Sequence, residues 1–263
     1  MRRHLWLVVN SIVVLACLLA LWQIAVLMLH VPKYMLPGPM MVGAAMVNRF
    51  QALLQSFLIT AEAAALGLVG SIAAGTAIAL IFAQWRWIRR LLFPYTILLQ
   101  TVPIIAIAPL ILMWAGPGTL SVALVAFIIC LAPIIANTTQ GLVSVEENLV
   151  HLFLMHKATS AQILFKLRLP HAMPNLFVGI RISSGIAVIG AITGELFAGS
   201  SRVGEGGLGY SILYASNQLE TDYLFALVVA ATVLGFLFFF IGMFLEWYFL
   251  HHWHESSRSD IPE

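Results

Sequence analysis

Apolar residues run in long blocks along this chain. Six blocks reach the roughly 20 residues that a helix needs to cross a hydrocarbon core of about 30 Å. They cover about residues 5–29, 56–82, 91–113, 119–139, 176–198 and 222–249. The expected fold class is therefore all-α and integral to a membrane, with about six transmembrane helices. Gly116-Pro117-Gly118 separates the third block from the fourth, a turn signal. The third block holds Pro94, Pro103 and Pro109, which predicts a kinked or partly unwound span whose irregular backbone is covered by protein or lines a water-filled path.

Composition agrees. Of 263 residues, 61% are hydrophobic and 9% charged, against about 25% charged in a soluble domain. The net charge of +2 gives no reason to expect nucleic acid. Cys17 and Cys130 each lie inside an apolar run, where thiols act as small packing residues. The N-terminal Met1-Arg2-Arg3-His4 followed by an apolar run resembles a secretory signal. The run from Leu5 to Leu29 is longer than the roughly 7–15 residues of a signal core and no small-x-small site follows, so a retained first span is expected.

Lys/Arg asymmetry sets the orientation. With the N-terminus inside, the inner side holds Arg2, Arg3, Arg86, Arg89, Arg90, Lys157, Lys166, Arg168, Arg181 and Arg258, and the outer side Lys33, Arg49 and Arg202. Both termini are then cytoplasmic. Trp85, Trp87, Trp247, Tyr248 and Trp253 suit interfacial belts. No domain boundary is visible, so 1–263 is read as one transmembrane domain. Its sizeable polar parts are the outer segments 30–55 and 199–221 and the inner segment 140–175.

Ala63, Gly67, Ser71, Gly75 and Ala79 recur every four residues in the second span, and Gly190 and Gly194 share that spacing in the fifth. Small residues on one helix face let backbones approach closely. The stripes fit internal packing or a sliding contact between moving helices.

The inner segment has its own order. Leu149, Leu152 and Phe153 fit one apolar helix face, and Ile163, Leu164 and Leu167 continue it, with His156, Lys157 and Ser160 breaking the stripe. Thr159 followed by Gln162 predicts a capping box. Pro170 is expected to end the second short helix, and Pro174 to fix the start of the fifth span. The reading is helix, turn, helix, on the inner membrane surface.

Ala158-Thr159-Ser160-Ala161-Gln162, Leu167-x-Leu169-Pro170-x-Ala172-x-Pro174 and Gly179-x-Arg181 resemble the signature loop of bacterial ABC importer permeases of the binding-protein-dependent type. Leu36-Pro37-Gly38-Pro39, Gln100-x-x-Pro103, Pro109-Leu110, Gly194-Glu195 and Gly207-Leu208-Gly209-Tyr210 extend the likeness over most of the chain. It is nearest to the nitrate, sulfonate and taurine branch, which includes permeases for thiamine-pyrimidine precursors and riboflavin. The resemblance implies a type I importer permease fold in the bacterial inner membrane. It implies a second permease copy, ABC ATPase subunits docked inside on a coupling loop, and an extracytoplasmic solute-binding protein outside. On this chain the loop residues would be His151, His156, Lys157, Ala158, Thr159, Ser160, Gln162, Leu169 and Pro170. The sequence departs from the family at the head of the signature: His151, Leu152 and Phe153 stand where the family has Glu-Ala-Ala, and Lys157 stands at its turn glycine.

Other patterns carry less chemistry. Gly204-x-Gly206-x-x-Gly209 matches a dinucleotide fingerprint as a string but lacks the strand and βαβ context that would cradle a pyrophosphate, so a flexible outer loop is expected. No Gly-x-x-x-x-Gly-Lys-Ser/Thr string occurs, so any ATP hydrolysis belongs to a partner chain. His251, His252 and His254 cluster beside Trp253 without a cysteine and read as a headgroup-level tail rather than a metal site. No cofactor is expected. Glu62 and Glu195 lie inside spans, where a carboxylate must face the bundle interior or water. They could line the path, with Gln100 and Pro103, or be interior partners of a hydroxyl, a backbone group or Arg202. No Ser/His pair, His-Glu-x-x-His string or aspartyl pair supports an enzyme. The rival class is a secondary transporter or channel, which would show inverted repeats or several charges along the path.

Overall fold

The computed structural model describes residues 2–30, 32, 34–198 and 206–250. Every regular element among them is helical. Helix α1 (Arg2–Met28) is followed by a short helix α2 (Pro39–Asn48) and by α3 (Phe50–Gln84). Then come α4 (Arg86–Thr101), α5 (Ile104–Ala115) and α6 (Thr119–Val143). The inner segment carries α7 (Glu147–Met155) and α8 (Ser160–Ile163). A π-type turn, Leu164–Arg168, leads into α9 (Leu169–Ala198), followed by α10 (Leu208–Asn217) and α11 (Thr221–Leu250).

All six apolar blocks are helical. Four helical runs are long and apolar enough to cross a membrane: Phe50–Gln84, Thr119–Val143, Ser160–Ala198 and Thr221–Leu250. The third block is the proline-rich one, and it is broken. Its halves α4 and α5 pass the same test together but are bent by 101° at Val102 and Pro103. Pro103 supplies no N–H and disfavours helix at the residue before it; Val102 is accordingly extended, at φ −70° and ψ 124°. The 27 residues of α1 measure about 40 Å at 1.5 Å per residue. This helix lies at the periphery and touches the bundle through Trp22, which packs on Phe225 at 5.9 Å.

Helix α6 is the centre, packed most extensively on α9 and α3. The small-residue stripes explain why. Ala63, Gly67, Ser71, Gly75 and Ala79 are all buried. A Cβ on Gly67 would stand 2.6 Å from the Ala123 carbonyl oxygen, and one on Gly190 would stand 2.8 Å from the Ala126 Cα. Helix α6 is thus approached at backbone distance by both α3 and α9, as packing without a hydrophobic driving force requires. Cys130 and Ser183 tie α6 to α9 by reciprocal hydrogen bonds to each other's carbonyls, at 3.4 and 3.2 Å. Cys130 is buried as expected of a packing thiol, whereas Cys17 is exposed on α1. Arg181 on α9 pairs with Glu246 on α11 at 2.8 Å.

Three expectations need correction. Pro170 does not end a helix: Ser160–Ala198 is one helical run. Leu169 N–H bonds the Leu164 carbonyl five residues back, so the hydrogen-bond register is already changing where Pro170 withholds its donor. Pro174 sits inside α9 rather than at its start, as membrane helices tolerate when neighbouring groups compensate. Nor are the outer segments simply polar connections. They hold α2 and α10, and the stretch from Gly206 to Gly209 is buried rather than a loose loop. Gly204, Arg202 and the histidines at 251, 252 and 254 lie outside the described residues.

Candidate functional site

Two places gather the candidate residues. The first is the inner element 147–168. Helix α7 ends at His156 in a turn where Lys157 N–H bonds the Leu154 carbonyl at 2.9 Å and Ala158 N–H bonds the Phe153 carbonyl at 3.0 Å. That pair of bonds is the Schellman arrangement, which needs a left-handed residue at its corner. Lys157 supplies it at φ 55°. The chain therefore keeps a glycine-type turn with a lysine in it, at a cost of roughly 1–2 kcal/mol. His156 Nδ1 lies 2.9 Å from the Leu152 carbonyl. Next, Thr159 forms the predicted capping box: its Oγ1 accepts from Gln162 N–H at 3.3 Å, and its own N–H donates to Gln162 Oε1 at 2.8 Å.

The root of this element is fixed and its tip is bare. Ile163 and Leu164 are buried, and Leu164 packs with Ala79, Ala83, Leu142 and Ala172. Arg168 Nη1 donates to the Ala83 carbonyl at 2.9 Å, so a cation closes the C-terminal end of α3. Leu169 and Pro170 lie half-buried behind it. By contrast α7 buries no residue. His151, His156, Lys157, Thr159, Ser160 and Gln162 are exposed, Ala158 is half-buried, and Leu152, Leu154 and Met155 present apolar surface, Met155 at 81% exposure. A rigidly capped element with an uncovered apolar tip has the form of a docking surface.

The second place is the outer half of the bundle. Glu195 on α9 is 4% exposed. Its Oε2 accepts the Thr60 hydroxyl at 2.9 Å and the Gly209 N–H at 2.8 Å. Thr60 Oγ1 in turn accepts the Leu208 N–H at 2.8 Å. Two of the first amides of α10, which no intrahelical carbonyl can satisfy, are thus held by side chains from α3 and α9. Ser56 and Ser211 add a 2.9 Å hydrogen bond between α3 and α10. Glu195 is an interior partner of a hydroxyl and a backbone group, and it latches the outer helix to the bundle. The sequence reading missed Thr60 and Ser56. They extend the four-residue stripe of α3 backwards from Ala63 by 3 and 7 positions, and both are buried.

Glu62 is not brought to Glu195. Two residues beyond Thr60, it points to the exposed side of α3 and has no partner among the described residues. Gln100 and Pro103 mark the break between α4 and α5. Gln100 lines a cleft of about 320 Å³ with Ile104, Ile128, Pro133, Ile186 and Ile189. Among the described residues no group of three or more His, Cys, Asp or Glu side chains could hold a metal.

The comparisons agree with this architecture. The family of binding-protein-dependent transport system inner membrane components matches residues 67–250. The riboflavin transport system permease protein of Chloroflexus aurantiacus is 30% identical over 248 residues, covering 94% of this chain and 91% of that protein. The formylaminopyrimidine transport permease protein of Halalkalibacterium halodurans is 30% identical over 223 residues, covering 84% and 87%. The taurine transport system permease protein of Escherichia coli is 27% identical over 235 residues, covering 86% and 83%. With the match spanning the central helices α6 and α9 and the whole capped inner element, this chain belongs to the binding-protein-dependent transport system inner membrane component family of ABC permeases.

Proposed function

We propose that this chain is the permease subunit of an ATP-driven importer, forming with a second permease copy the path for a small polar solute. ATP hydrolysis belongs to ABC ATPase subunits on the inner side, and an extracytoplasmic binding protein delivers the solute. The observation that carries the reading is the inner element 147–168: its root is buried, its turn is fixed by two caps, and its apolar tip is uncovered. Such an element transmits motion between a docked partner and α9, because Ser160–Ala198 is one continuous helical run. Rocking of α9 and α3 about α6 would open the path alternately to each side.

The relatives' names give two solute classes: a vitamin or its pyrimidine precursor, and a sulfonate-like anion. The charges support the first. Arg181 within α9 is neutralised by Glu246, and Glu62 leaves a free carboxylate on α3, which repels anions if that face lines the path. The cleft lined by Gln100, Val102 and Ile104, at the 101° bend, is the second candidate stretch of path.

Ala158→Arg tests the coupling role. The bulky cation obstructs docking at the turn while leaving the spans intact. The expected result is a permease present in the membrane that no longer co-purifies with its ATPase and no longer supports uptake. Normal ATPase retention and uptake would show that this turn is not the coupling contact and would remove the main support for the ATP-driven reading.

A further inference from the structure

The inner face holds a second feature, beside the coupling element rather than on its tip. A cleft of about 430 Å³ lies between the end of α3, the start of α4, α7 and the π-type turn. Arg86, Arg89 and Arg168 line it, with His151 and Glu147. The arginines reach one another's fields: Arg86 and Arg89 both repel Arg168. Among the described residues no ion pair balances their charge. The ion pairs among the described residues are Arg49–Glu220 and Arg181–Glu246, so none joins Glu147 to an arginine. Arg86 and Arg89 have no side-chain partner there at all. Helix α4 opens at Arg86 without a side-chain cap, so its first amides add positive partial charge at the rim. Three cations and a helix N-terminus face the single carboxylate of Glu147 around one cleft, an excess of positive charge that a further anion would offset.

The flanks say where that anion comes from. Trp85 and Trp87, 49% and 66% exposed, bracket Arg86, and Leu91 and Leu92 follow, both exposed. Tryptophans beside arginines at the start of an apolar helix mark headgroup depth. We propose that this cleft binds the phosphate headgroup of an anionic phospholipid of the inner leaflet, wedged between the coupling element and the start of the broken span. Guanidinium groups grip phosphate oxygens in pairs, and basic pockets between spans on the cytoplasmic side suit such headgroups. A lipid there would brace the root of the element through Arg168, which is already tied to α3. The proposal rests on the inward placement of segment 140–175. Cysteine accessibility at position 89 reports that placement separately from lipid binding.

The test counts lipids retained by the purified full-length permease, with and without its ATPase, by native mass spectrometry after incubation with phosphatidylglycerol or phosphatidylcholine micelles. Wild type should retain phosphatidylglycerol in preference. Arg86→Gln with Arg89→Gln should weaken retention by about 25-fold, taking roughly fivefold per basic residue near an anionic headgroup. Arg90→Gln, outside the cleft, should leave it unchanged. Arg86→Lys with Arg89→Lys should restore most of it, which a merely misfolded variant would not allow. Equal retention by the double Gln variant overturns the proposal. So does displacement by inorganic phosphate at equal concentration, which would make this a site for free anions. Loss of the lipid whenever the ATPase is bound would assign the cleft to an acidic surface of that partner and overturn it as well.

Discussion

At the scale of single residues, Lys157 and Glu195 depart from what their types usually do. Lys157 holds a left-handed corner at φ 55° that a side chain with Cβ adopts at a penalty. Lys157→Gly should therefore stabilise the inner turn by about 1 kcal/mol, read as a raised thermal midpoint of the detergent-solubilised permease. An unchanged or lowered midpoint would mean that the lysine makes a compensating contact. Glu195 accepts two hydrogen bonds on one buried oxygen. Glu195→Ala strands the Thr60 hydroxyl and the Gly209 amide, at roughly 1–3 kcal/mol for each group left unsatisfied. It should lower stability and free α10 from the bundle. Glu195→Gln retains a carbonyl acceptor and should be mild in stability. Hydrogen exchange at Leu208 and Gly209 separates the two outcomes: fast exchange in the Ala variant, near wild-type protection in the Gln variant.

At the scale of elements, backbone contact governs the α3–α6 pair. Gly67→Ala places a Cβ at 2.6 Å from the Ala123 carbonyl oxygen and 2.9 Å from the Phe127 nitrogen. Backbone atoms cannot swing aside, so the helices must separate, costing roughly 1–3 kcal/mol. Gly43→Ala on α2 meets nothing within 4 Å and should be neutral or gain up to about 1 kcal/mol from helix propensity. Thermal unfolding of both variants in one detergent checks the contrast, and equal behaviour would contradict the close approach. The same scale explains the third apolar block. Three prolines in a row of apolar residues announce a break, but only packing decides that it falls at Val102–Pro103 and not at Pro94 or Pro109, which both stay inside helices.

At the scale of the molecule, the ten-to-three partition of basic residues predicts an orientation with both termini inside. In a background lacking Cys17 and Cys130, single cysteines at positions 89 and 257 should resist an impermeant thiol reagent added outside intact cells. One at position 201 should react. Outside labelling at position 89 would invert the topology, and with it the assignment of α7 and α8 to the ATPase side.

The sequence by itself determined the helical membrane class, the six apolar segments and the packing stripes, because lipid leaves the backbone no alternative to internal hydrogen bonding and small residues announce close helix contact at fixed spacing. It also determined the capping box at Thr159 and Gln162, since caps are local, whereas the left-handed corner at Lys157 is shown by the structure. Tertiary structure alone decided what long-range partners decide. Nothing near Glu195 in the chain names Thr60, 135 residues away, or says that α10 would start on its carboxyl group. Glu62 and Glu195 look alike as sequence, yet a helix turns about 100° per residue, so only the assembled bundle shows Thr60 facing inward and Glu62 facing out. The gathering of Arg86, Arg89 and Arg168 around one cleft is of the same kind: about 80 residues separate the first two from the third, and only folding brings like charges together against their own repulsion.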